Sequence, residues 1–108
     1  MPKTDLLQGT LDLLILQILA LGPNHGWGIS NRIRQMSREG LNASQGSLYP
    51  ALQRLELNGW IDGEWGLTAN NRRGRIYKIT AKGRKQLVEE TQRYTQLTLA
   101  IARVMGTE

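Results

Sequence analysis

The stretch G-S-L-Y-P-A-L-Q-R-L-E-L-N-G-W-I, residues 46–61, plants a proline among residues whose spacing is helical. Leu48, Ala51, Leu52 and Leu55 recur at helical intervals, and Asn58-Gly59 is a stop signal. A proline lacks the N–H that an internal turn needs, so it is tolerated where the amides have no internal acceptor, at the helix start. The spacing therefore predicts a helix beginning at about Ser47. With the leucines turned inward, Tyr49, Pro50, Gln53 and Arg54 face out, and Gln45, Gly46 and Ser47 lead into the N-terminus. A helix N-terminus attracts phosphate. Gln, Ser and Arg side chains can hydrogen-bond base edges in a major groove.

The flanking sequence supplies what such a helix would be mounted on. LDLLILQILALG follows Thr10, a good N-cap, and is apolar on nearly every side until Gly22-Pro23 ends it. A helix apolar all round must be covered from more than one direction, and Leu13 is a candidate for contact with a second subunit. WGISNRIRQMSREG sets Ile29, Ile33 and Met36 on one stripe, with Gly40 as the expected C-cap. W-I-D-G-E-W and R-I-Y-K-I-T have the aromatic and β-branched content of paired strands, with Asn70, Asn71, Arg72, Arg73 and Gly74 at or near the hairpin tip. Thr80 then caps a last helix. In it Leu87, Tyr94 and Ile101 are spaced by sevens, as are Glu90, Leu97 and Val104; apart from Glu90 they form a seam suited to another helix.

Charge separates the function classes. The 108-residue chain carries a net charge of +5, which favours anionic partners. Arg72, Arg73, Arg75, Lys78, Lys82, Arg84 and Lys85 make up seven of its 14 basic residues, and no acid lies between Arg72 and Lys85. Taken alone, such a run also admits the reading of a solvated face, and its neighbours must decide. The absence of cysteine excludes disulfide scaffolds, thiolate zinc sites and cysteine nucleophiles. The apolar run from Leu13 to Leu21 is interrupted by Gln17 and too short to span a bilayer, so a cytoplasmic protein with no membrane partner is expected. The one histidine, His25, has no ligand cluster around it, so a capping or packing role is expected and neither a metal, a cofactor nor catalysis.

The order helix, helix, helix, hairpin, helix is that of a mainly α fold with a small β-hairpin: a winged helix-turn-helix over residues 1–80 and a long C-terminal dimerisation helix over residues 81–108. In that arrangement the third helix enters the groove of double-stranded DNA, Arg72, Arg73 and Arg75 of the wing reach flanking phosphates, and the tail sets the spacing of two copies.

The motifs H-G-W-G-I at 25–29, G-S-L-Y-P-A-L-Q-R-L-E at 46–56, G-W-I at 59–61 and I-T-A-K-G-R at 79–84 resemble the phenolic acid decarboxylase regulator (PadR) family over about residues 6–90. The L-Y-P-A-L-x-R-L-E core is the specific part; T-x-x-G-R is shared with many winged helices. The resemblance implies a homodimeric transcription factor, most often a repressor, on a palindromic site and released by a small-molecule effector. It places DNA contacts on Gln45, Ser47, Tyr49 and Gln53. The wing sequence N-N-R-R-G-R-I-Y departs from the G-R-P-R-K-Y form common in relatives, and Trp27, Trp60 and Trp65 all precede the tail.

Several residues admit a plainer role. Tyr49 could be edge packing in place of a DNA contact, Arg54 could pair with Asp62 or Glu64, and Trp60 and Trp65 are expected in hairpin and core packing. A basic architectural protein without sequence preference is the alternative to a sequence-specific regulator. An enzyme is disfavoured, because no nucleophile or metal constellation is present.

Overall fold

The computed structural model describes residues 4–5, 8–67 and 71–107. In chain order the elements are β1 (Thr4–Asp5), α1 (Gln8–Ala20), β2 (Asn24–His25), α2 (Gly26–Met36), β3 (Leu41–Asn42), α3 (Gln45–Leu57), β4 (Ile61–Leu67), β5 (Arg73–Ile79) and α4 (Ala81–Met105). This is a winged helix-turn-helix followed by a C-terminal helix.

α1 occupies the middle. Its Leu11, Ile15, Leu16, Ile18 and Leu19 are buried among Ile29 and Ile33 of α2 and Leu48, Ala51, Leu52 and Leu55 of α3. It touches α2, α3, β5 and α4. The covering that an all-round apolar helix requires is thus provided almost wholly by its own chain, and Leu13 is only half-buried. α1 starts at Gln8, two residues ahead of the expected Thr10 cap.

α2 is capped by His25, whose Nδ1 accepts from the Gly28 amide at 3.1 Å, so the lone histidine does serve as a cap. Its far end departs from expectation. The helix stops at Met36 with Ser37, not Gly40, as its C-cap, and Arg38 and Glu39 that follow take left-handed conformations. The Glu39 amide closing onto the Arg34 carbonyl at 2.8 Å holds that turn. Met36, placed on the buried stripe by its spacing, is exposed, because the stripe is already complete with Ile29 and Ile33.

The wing is larger than a hairpin. β4 and β5 pair antiparallel from Ile61–Ile79 to Leu67–Arg73, and β2 adds a third strand on the other edge of β5. A two-residue parallel ladder joins β1 to β3. Neither β1, β2 nor β3 has the length to carry a strand pattern. Asn70, expected at the tip, lies outside the described residues.

α4 is seated by two short approaches. The Thr80 hydroxyl accepts from the Gly83 amide at 2.9 Å and donates to the Gly59 carbonyl at 2.7 Å, while the Thr80 amide donates to the Trp60 carbonyl at 3.0 Å. Gly83 lies so near the Trp60 carbonyl that a Cβ there would stand 1.9 Å from its oxygen. Leu87 packs on the core, whereas residues 91–107 are exposed apart from Ala102.

Candidate nucleic-acid interface

The third helix starts earlier than its proline suggested. Ser44 is the N-cap, its hydroxyl accepting from the Ser47 amide at 3.3 Å, so the helix opens at Gln45 and Pro50 falls in the second turn. The acceptor left without its intrahelical partner is the Gly46 carbonyl, on an exposed residue where water can satisfy it.

The sides of α3 have separate duties. Leu48, Ala51, Leu52 and Leu55 are buried. Gln45, Gly46, Ser47, Tyr49, Pro50 and Gln53 are exposed, with Gln45, Tyr49 and Gln53 stacked along one row at i, i+4 and i+8. These sequence-selected positions share one open surface. Tyr49 also packs: a Cβ on Gly26 would lie 3.2 Å from its ring, so the phenol rests on the start of α2 while half of it stays open.

Arg54 is turned away from that surface. Its Nη2 donates to Asp12 of α1 at 2.8 Å. The expectation of an acidic partner is met, but with neither Asp62 nor Glu64: Arg54 sits on the α1 flank of the helix and those acids do not. Burial raises the Asp12 carboxyl above its ordinary 3.8, against the pull of Arg54 and with Glu90 adding to the rise.

Arg75 is likewise not an outward wing cation. Its Nη2 donates to Glu56 of α3 and, at 3.0 Å, to the Gly63 carbonyl. The guanidinium lies 5.7 Å from the Trp65 ring and 5.8 Å from the Tyr77 ring. The cross-strand alternation explains this, since Arg75 pairs with Trp65 on the same face as the core pair Ile61–Ile79. Arg72 and Arg73 are exposed, and Arg73 lies 5.2 Å from the Trp65 ring. Trp60 packs against the core as expected, but Trp65 is 61% exposed, because the ribbon has passed the edge of the body at that point.

At the opposite end of the chain, Tyr94 and Leu97 line a cleft of about 310 Å³ with Gly9, Thr10, Leu13, Glu90 and Arg93. Ile101 and Val104 continue the exposed apolar side of the tail, whereas Leu87 is taken up by its own core.

Reasoning from sequence missed Asp12, Glu56 and Gly63. A periodic signal existed for one of them: Arg54 and Glu56 stand two positions apart, about 200° around a helix, so they must serve opposite flanks.

A model of the PadR-like transcriptional regulator family matches residues 15–89. The chain belongs to this family. Among solved structures, a transcriptional regulator from Clostridium thermocellum is 30% identical, with a TM-score of 0.81 over 89% of this chain and 93% of that one. A PadR-like transcriptional regulator from Bacillus cereus is 26% identical, with a TM-score of 0.77 over 94% and 96% of the two chains. A transcriptional regulator of Mycobacterium tuberculosis is 36% identical over 64 residues, 59% of each chain. The PadR-like family and these neighbours are transcriptional regulators, not enzymes, so the open side of α3 belongs to a DNA-binding regulator. Among the described residues, no helix is long and apolar enough to cross a membrane.

Proposed function

We propose that this PadR-like regulator is a cytoplasmic homodimer that binds a palindromic operator sequence-specifically and acts as a repressor. The observation that carries the reading is the undivided exposed surface of α3, with Gln45, Tyr49 and Gln53 in one row and Ser47 at its leading end. Forked amides and a hydroxyl on a helix are suited to base edges, and the exposed Arg72 and Arg73 to flanking phosphates. Arg54 and Arg75 drop out of the contact set, since each is neutralised by a carboxylate of its own chain.

Dimerisation falls to the tail. Residues 81–90 belong with the winged body, and the helix beyond Glu90 extends from it for about 22 Å at 1.5 Å per residue. Leu13, Tyr94, Leu97, Ile101 and Val104 offer a partner helix an apolar side. A small-molecule effector entering the cleft between α1 and α4 would alter the pairing and release the DNA.

Selection of duplexes from a random pool, followed by competition at fixed salt, tests this reading. Two inverted half-sites with centres roughly 34–36 Å apart are expected, with competition by random DNA much weaker than by the selected site. Equal competition by both would instead establish a basic architectural protein.

A further inference from the structure

We propose that Glu56 and Arg75 form a latch that fixes the wing against the reading helix, which makes both of them positioning residues for DNA binding. The proposal rests on the reading that α3 and the wing bind the same duplex.

The wing needs such a device. Past Gly63 the inner face of the ribbon is Trp65, Leu67 and Arg73, all exposed, so the body's core does not hold it. β2 pairs only with Ile76 and Tyr77, so beyond them the ribbon has two strands, and a two-stranded ribbon is marginal by itself. Arg75 supplies the missing attachment from several directions. One nitrogen joins the Glu56 carboxylate to the Gly63 carbonyl, and the guanidinium carbon lies 5.7 Å from the Trp65 ring and 5.8 Å from the Tyr77 ring. Gly63 makes the arrangement possible: a Cβ there would come within 2.3 Å of Nη2 and 3.0 Å of Cζ. The two side chains are 32% and 36% exposed, so salt screens the pair incompletely. A guanidinium committed to these contacts is not free to meet a phosphate. Its value to binding lies in holding Arg72 and Arg73 at a fixed distance from Gln53 and Tyr49.

The full-length Glu56→Gln variant tests this, because it removes a negative charge and takes the net charge from +5 to +6. Charge alone would tighten binding to the selected duplex. The latch requires the reverse: binding weaker by about tenfold, and a salt slope lower by about two as Arg72 and Arg73 lose their phosphates. Arg75→Lys keeps the charge but not the planar fork and is expected to behave alike. Tighter binding by Glu56→Gln, or full affinity in Arg75→Lys, would overturn the proposal. Hydrogen exchange without DNA gives a separate reading. Amides of residues 63–67 and 73–77 are expected to exchange faster in Glu56→Gln while those of α1 do not change. Equal exchange in the ribbon would remove the latch whatever happens with DNA. A wild-type chain that ignores DNA would instead refute the parent reading and leave the exchange comparison standing.

Discussion

Gly83→Ala places two known effects in opposition at one residue. Gly83 is the third residue of α4, where alanine is favoured over glycine by up to about 1 kcal/mol on helix propensity alone. Against this, the added Cβ would stand 1.9 Å from the Trp60 carbonyl oxygen and 2.8 Å from Ile79 Cγ1. The first neighbour is backbone and cannot rotate aside, so α4 has to lift by more than 1 Å from the turn between α3 and β4. That movement stretches the amide bond from Thr80 to Trp60 and the hydroxyl bond from Thr80 to Gly59, each worth about 1 kcal/mol. Overpacking adds about 1–3 kcal/mol. Repulsion and lost bonds outweigh propensity, leaving a net loss of about 2–4 kcal/mol and a Tm lower by about 10 °C or more. Urea unfolding at several protein concentrations, so that association is accounted for, measures it. A midpoint equal to or above that of the wild type would show that α4 does not approach Trp60 as described.

Four further outcomes are expected. Gln53→Ala should cost about 1–3 kcal/mol at one base pair of the selected site and leave the salt slope alone; an unchanged site preference would take Gln53 out of the reading set. Gly46→Ala should leave urea stability equal or slightly higher, since its Cβ would meet only Ser44 Oγ at 4.0 Å, yet weaken DNA binding by crowding the open side of α3; unaltered affinity would mean that the duplex stays clear of Gly46. Asp12 has a raised folded pKa, so its contribution to stability is full below 3.8 and is lost as pH rises through the folded value; the gap between wild type and Asp12→Asn should therefore move in favour of the wild type as pH falls from about 7 to about 4, and a flat gap would contradict the sign. Leu97→Asp should yield monomers by light scattering and weaken operator binding by about a hundredfold, because two linked half-sites become one; a dimer with full affinity would move the interface elsewhere.

The fold was legible where periodicity is long. The all-round apolar α1, the leucines of α3 and the T-A-K-G-R junction each impose a packing requirement that few folds meet. Two-residue strands such as β2 carry no period, and only the edge of β5 makes Asn24 and His25 a strand. Proline misplaced the start of α3, because the Ser44 hydroxyl offers a better cap than Ser47 and Gly46 tolerates an unpaired carbonyl. At the candidate site, polar residues opposite a buried stripe could be read directly. Arginines could not. Arg54 and Arg75 look like Arg72 and Arg73 in sequence, and only the three-dimensional placement of Asp12 and Glu56 separates the carboxylate-paired arginines from the exposed ones.

The proposed homodimer sets its two third helices into successive major grooves on one side of a duplex. Hydroxyl-radical protection of the selected site by the wild-type protein tests it directly. Two equal protected patches are expected, related by the dyad of the site and about one helical turn apart. A single patch, or protection spread evenly along the duplex, would contradict it.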